Sequence, residues 1–145
     1  MKVVIVFKSK KNTKKIADAI GKALQVKPMD IDEIVKVDDA DILFLGCGIY
    51  AGDVPNEVKD FVKTLNSKKI KKVVLFTTSG RGDDQTEKLK EEIRHQGLTL
   101  EERTFCCKGQ MFLFMNRSFP CDTDLQNAEI FAKIFYNMEV FYEQQ

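Results

Sequence analysis

Short, wholly apolar runs alternate along this chain with longer amphipathic stretches, and few folds accommodate that pattern. Val3–Phe7, Ile42–Leu45 and Val73–Phe76 are unbroken apolar segments. They are too short for helices and too uniformly apolar for a strand with one wet face, so they read as strands buried on both faces. Between them, apolar residues recur at helical spacing: Ile16, Ala17, Ile20 and Leu24, then Val58, Phe61, Val62 and Leu65, then Leu89 and Ile93. Strand and helix in strict alternation predict a parallel sheet with right-handed crossovers and helices on both faces.

Local signals set the expected boundaries. Asn12 or Thr13 is placed to cap the first helix, which runs to about Leu24. A weaker strand is expected near Val26–Met29, and Pro28 assigns it to an edge because proline cannot donate to a ladder. Ile31–Asp39 has no clear pattern. Pro55 suits the first turn of the second helix. Lys68–Lys72 reads as a solvated connection. Asp83 or Asp84 should open a polar helix reaching Gln96 and ended by Gly97. Leu98–Cys107 reads as the last strand, and Asp122 or Thr123 as the start of the final helix. That helix carries Leu125, Ala128, Phe131, Ala132, Phe135 and Met138 on one stripe. Ile130, Ile134, Val140 and Phe141 form a second flank, which is extra core or, if exposed, a contact for a homodimer or partner.

The length fits one domain, residues 1–145, and 43% apolar residues suffice for a sheet covered on both sides. With 23 basic and 22 acidic residues, the net charge is +1, which argues against a nucleic-acid binder. The first apolar run is shorter than the core of a signal peptide, and no stretch has the length of a membrane span. A cytoplasmic protein is the expectation. The four cysteines, Cys47, Cys106, Cys107 and Cys121, lack the paired spacing of a zinc site, and His95 is the lone histidine. They are expected as reduced thiols. Adjacent Cys106 and Cys107 should point to opposite faces of a strand.

Three loops at strand ends carry the residues suited to binding. They are Ser9-Lys10-Lys11-Asn12-Thr13, Gly46-Cys47-Gly48-Ile49-Tyr50-Ala51-Gly52 and Thr77-Thr78-Ser79-Gly80-Arg81-Gly82. In an open α/β sheet such loops meet at one crevice, where ligands bind. The first loop precedes a helix, whose free N–H groups and dipole favour an anion. Ser9 and Thr13 add hydroxyls, Asn12 an amide, and Lys10 and Lys11 charge. Neither the Walker pattern nor the dinucleotide Gly-x-Gly-x-x-Gly turn is present.

The stretch Phe7-Lys8-Ser9-Lys10-Lys11-Asn12-Thr13-Lys14-Lys15-Ile16-Ala17 resembles the N-terminal signature of the flavodoxin family, in which an aromatic strand end precedes a Ser/Thr-rich loop. Ser9, Asn12, Thr13 and Ala17 match it; the loop is one residue shorter and lacks the family's glycine. Asp41 to Pro55 is similar to that family's third strand and following loop, and Thr77–Gly82 occupies the position of the loop after its fourth. Phe105-Cys106-Cys107-Lys108-Gly109-Gln110, Asn116-Arg117-Ser118-Phe119-Pro120 and Asp124-Leu125-Gln126-Asn127-Ala128 resemble the C-terminal part of a small flavodoxin-like subgroup. The resemblance implies a doubly wound, three-layer α/β/α sandwich with a five-stranded parallel sheet in the order 2-1-3-4-5.

It also implies FMN as cofactor. Ser9, Lys10, Lys11, Asn12 and Thr13 would hold its phosphate. Gly48, Ile49, Tyr50, Ala51 and Gly52 would face the ring, with Tyr50 stacked on it. Thr78, Ser79, Gly80, Arg81 and Gly82 would meet its pyrimidine edge, and Arg81 would favour the reduced, anionic form.

The leading expectation is an electron carrier between redox partner proteins, a reductase and an acceptor. The flavin supplies the chemistry, and no catalytic residue or metal is called for. One alternative is a small flavin-dependent oxidoreductase for a quinone- or tetrapyrrole-like acceptor, with apolar Met111–Met115 as a wall of its pocket. Another is a flavin-free binding module, resting on the shortened loop. A phosphorylated receiver domain shares the topology but needs an acidic cluster that Phe7-Lys8-Ser9 does not provide. The near-zero net charge predicts an apolar docking face and electron transfer little affected by salt; a steep loss of rate with added salt would count against it.

Overall fold

A computed structural model of the chain describes residues 1–8, 11–33, 36–110 and 116–145. Its elements, in chain order, are β1 (Val3–Lys8), α1 (Asn12–Leu24), β2 (Met29–Asp30), β3 (Ile42–Gly48), α2 (Asn56–Lys63), β4 (Val73–Ser79), α3 (Glu87–His95), β5 (Phe105–Lys108) and α4 (Asp122–Glu143). Among the described residues the strands form one five-stranded parallel sheet, ordered β2-β1-β3-β4-β5. Both the parallel sheet and its order agree with the expectation.

The three apolar runs became the three central strands because each has two faces to bury. Along β1, Val4 and Val6 face one core while Ile5 and Phe7 face the other. The first core packs Val58, Phe61 and Val62 of α2 and Leu89 and Ile93 of α3 on the sheet. The second packs Ile16, Ala17 and Ile20 of α1 and Ala128, Ala132 and Phe135 of α4 on the opposite face. Residues spaced to share one helix face thus became fully buried, and truncating one such residue, as in Phe135→Ala, costs about 3–5 kcal/mol. Gly46 has a packing role: a Cβ there would sit 2.0 Å from the Phe76 ring, so its lack of a side chain lets that ring lie across β3.

Several boundaries differ from the sequence expectation. Lys11, not Asn12 or Thr13, is the N-cap of α1. Helix α3 begins at Glu87 after Thr86, with Asp84 accepting from the Thr86 backbone N–H at 3.0 Å from outside the helix. Cys121 is the N-cap of α4, and its backbone N–H donates to Asp124 Oδ2 at 2.9 Å. β2 begins directly after Pro28 and spans only two residues, as an edge strand tolerates.

The expected strand Leu98–Cys107 starts late, at Phe105. Leu100 bridges Val73, and Phe105 pairs with Phe76. Over that interval β4 advances three residues while the other segment advances five. The two extra residues form a bulge that releases the ladder. The carbonyl of Glu102, inside it, accepts instead from the buried Lys90 ammonium at 2.9 Å.

All four cysteines are free thiols. The neighbours Cys106 and Cys107 do face opposite ways: Thr77 Oγ1 donates to Cys106 Sγ at 3.4 Å, while Cys107 belongs to the core under α1 and α4. On α4, Ile130, Ile134 and Phe141 are exposed and Val140 is half-buried, so this flank is not core. No described helix is long and apolar enough to cross a membrane.

Candidate functional site

The carboxyl ends of β1, β3, β4 and β5 surround a cleft of about 180 Å³. Asn12, Gly48, Ile49, Tyr50, Thr78, Ser79, Gly80, Gly109 and Gln110 line it. A second depression of about 320 Å³ shares Ile49, Ser79 and Gly80 and adds Ala51, Gly52, Arg81 and Gln85. Residues from three loops singled out in the sequence therefore meet in one place. Ser9 and Lys10 lie outside the described residues, as does Met111–Met115.

At the end of β1, α1 presents its N-terminus with no side-chain cap hydrogen bond among the described residues and no acidic residue in its first turn. That leaves the helix dipole unopposed there, which favours an anion. The side chains nearby have tertiary partners. Thr13 is wholly buried, and its hydroxyl meets that of Thr78 at 2.9 Å. The Asn12 amide donates to the Gln110 carbonyl at 2.8 Å, and Lys11 Nζ to Gln110 Oε1 at 3.1 Å. The Asn12 and Thr13 side chains thus tie this loop to the segment after β5 and to the end of β4.

Asn12 Oδ1 is buried and finds no hydrogen-bond partner among the described residues. An orphaned acceptor beside a cleft costs about 1–3 kcal/mol unless a ligand donor satisfies it. A sugar-alcohol chain carrying hydroxyls has that donor chemistry.

At the end of β3 the chain reverses through Tyr50-Ala51-Gly52-Asp53. Tyr50 and Asp53 exchange both backbone hydrogen bonds, each 3.0 Å. Ala51 and Gly52 sit at φ of +51° and +75°, the pairing of signs found in a type I′ turn. Asp53 holds the next turn by accepting from the Val54 N–H and from Lys59 Nζ, and these bonds keep its carboxyl below the ordinary value. The tight turn raises Tyr50 into solvent, where it is 59% exposed although it lines the cleft. An aromatic ring left uncovered at the mouth of a cleft offers a face to another flat ring.

At the end of β4, Ser79 Oγ accepts from the Gly82 N–H at 2.8 Å, closing the loop. Arg81 pairs with Asp83 at 2.8 Å with its side chain largely in water. Gly82 lies behind the cleft, packed toward Lys108. Beneath this loop Lys90, 3% exposed, binds Asp84 at 2.9 Å. Burial pushes the Asp84 carboxyl up, but hydrogen bonds from Thr86 and Lys90 outweigh it and leave the group below its ordinary value.

Sequence reasoning missed the fourth wall. Gly109 and Gln110 follow β5 and close the cleft over Asn12. A Cβ on Gly109 would sit 2.6 Å from Asn12 Nδ2, so the two segments touch backbone to side chain. The strand-end rule, applied to β5 as to the others, would have found them. Gln85 was missed because its side chain reaches back toward Ser79 and Asp83 from the following loop.

The residues present suit a flat, phosphate-bearing group: a helix N-terminus with no acidic residue in its first turn, an unmet acceptor, an exposed ring and paired loops. Comparison with known proteins agrees. A family model described as a flavodoxin domain matches residues 4–134. Among solved structures, a flavodoxin from the domain Archaea superposes with a TM-score of 0.75 at 18% identity, covering 96% of this chain and 99% of its own. Flavodoxin 2 from Bacillus cereus gives 0.69 at 18% identity, covering 95% and 99%. The flavodiiron core of Flv1 from Synechocystis sp. gives 0.71 at 16% identity, covering 97% of this chain but 36% of its own. No curated protein sequence matches.

Proposed function

Because the chain belongs to the flavodoxin family, and is on that ground a flavin-binding electron-transfer protein, we propose that its flavin is FMN and that it carries electrons between a reductase and an acceptor protein. The observation that carries this reading is the cleft itself, where the α1 N-terminus, the unmet Asn12 Oδ1 and the exposed Tyr50 ring come together. The backbone N–H groups at the start of α1, with Lys10 and Lys11 nearby in sequence, would hold the phosphate. Asn12 Oδ1 would accept from a hydroxyl of the ribityl chain. Gly48–Gly52 would take the ring, with Tyr50 against its face. Thr78, Ser79, Gly80 and Arg81 would serve the pyrimidine edge, with Gly82 closing their loop through Ser79.

When bound, FMN supplies one-electron chemistry; the protein binds it, orients it and sets its potential. The lining of hydroxyls, amides and one aromatic ring suits those tasks. Four free thiols fit a reducing compartment, and we place the protein in the cytoplasm.

The test is the visible absorption spectrum of the purified protein with and without added FMN. Flavin bands and a saturable titration are expected, followed by photoreduction and electron transfer to an added redox protein. Absence of binding at high FMN would overturn the proposal. Rapid turnover of a small quinone without any protein partner would replace the carrier role with an enzymatic one.

A further inference from the structure

We infer that Asn116, which does not line the cleft, is the positioning residue for the two glycine loops that do; the inference rests on the FMN reading above. Its side-chain amide donates both hydrogens, to the Gly80 carbonyl at 3.0 Å and to the Gly109 carbonyl at 3.2 Å. Gly80 follows β4 and Gly109 follows β5, and both line the cleft. The one side chain therefore bridges two walls of the site.

The bridge sits where the backbone most needs it. Glycine peptides swivel more freely than others, so the Gly80 and Gly109 carbonyls gain a fixed direction from an outside donor. Near the sheet a backbone bond, Gly109 N–H to the Ser79 carbonyl at 3.0 Å, holds the loops together. Beyond it Asn116 supplies the second point of attachment, which turns a hinge into a fixed frame. Asn116 itself occupies φ +55°, a left-handed conformation that asparagine tolerates better than most residues. Its own carbonyl accepts from the Phe119 N–H at 3.0 Å, so the amide is aimed by a closed turn.

The orientation has a consequence for the ligand. In a trans peptide the N–H points opposite to the C=O. With the Gly80 carbonyl held by Asn116, the Arg81 N–H points away from Asn116. Among the described residues it is given to no protein acceptor. Gly80 and Arg81 both border the second depression. Asn116 thereby presents a fixed, unused donor to an acceptor atom on the pyrimidine side of the flavin, where it stabilises negative charge gained on reduction.

Asn116→Gly keeps the left-handed backbone and deletes the amide, while Asn116→Asp keeps the shape and sets a carboxylate against two carbonyls. Both variants should bind FMN about tenfold more weakly, the order expected from one lost hydrogen bond, and the midpoint potential of the bound flavin should move negative. In the FMN-free proteins, amide hydrogen exchange of peptides covering 79–82 and 109–110 should be faster than in the parent, with the rest of the sheet unchanged. Parental affinity and potential in Asn116→Gly overturn the inference even if Asn116→Asp fails to fold. If the parent itself binds no FMN, the FMN reading fails, and exchange in the free proteins still decides whether Asn116 holds the loops; unchanged exchange overturns it.

Discussion

The hydroxyls of Thr13 and Thr78 meet at 2.9 Å in the interior, joining the first turn of α1 to the end of β4. Both residues are buried, so neither hydroxyl has water as a substitute partner. Thr13→Val should lower stability by about 1–3 kcal/mol, because the Thr78 hydroxyl stays buried without that contact, and Thr78→Val should lower it by removing the same bond. Replacing both should cost less than the sum of the two. Urea unfolding of the three variants checks this, and strictly additive losses would show that the contact carries no energy of its own.

Ala51 is held at φ +51°, where an L-residue other than glycine is strained by about 1–2 kcal/mol. Glycine relieves that strain but loses more chain entropy on folding, by roughly 0.5–1 kcal/mol. Ala51→Gly is therefore expected to raise stability by about 0.5–1 kcal/mol in chemical denaturation. A drop in the midpoint would mean the turn does not demand a left-handed residue there.

The Lys90–Asp84 pair makes a pH prediction. Asp84 sits below its ordinary value of 3.8 in the fold, so folding favours its ionised form. Its stabilisation is complete above that ordinary value and fades as pH falls through the lower folded one. Acid titration of stability should show this loss below about pH 4, and Lys90→Met should weaken it, since that lysine is one of the three donors opposing desolvation. Lys90→Met should also cost about 1–3 kcal/mol near neutral pH, because it leaves the Glu102 carbonyl without its donor. An unchanged acid profile in that variant would count against the pairing.

Burial pushes the thiols of Cys47 and Cys107 up to about 12. Both should resist alkylation at pH 8 in the folded protein and react fully once it is unfolded, as read by mass spectrometry of labelled peptides. Fast native labelling of Cys47, which is 2% exposed, would contradict its place in the sheet.

Much of this architecture was legible because burial on two faces leaves an unmistakable trace, as in Ile42–Leu45 and Val73–Phe76. The loops at the ends of those strands were legible for the same reason. What escaped was everything set by distant partners. Asn12 and Thr13 look like helix caps by type, but their side chains answer to Gln110 and Thr78, 98 and 65 positions away. Leu98 to Thr104 looks like strand, but its two surplus residues become visible only against the register of β4. Asn116 has no local signature: a turn asparagine gains its role from two carbonyls on other segments.

The contact of Asn12 with Gly109 and Gln110 also sets an order of events during synthesis. The first wall of the cleft leaves the ribosome long before the last, and α4, which covers the α1 side of the sheet, follows later still. An emerging chain holds β1, β3 and β4 with one apolar face covered by α1 alone until α4 is released. The cleft has its last wall only once Gly109 and Gln110 have emerged, and a truncation within α4 should leave nascent protein that chaperones recognise by its part-covered sheet.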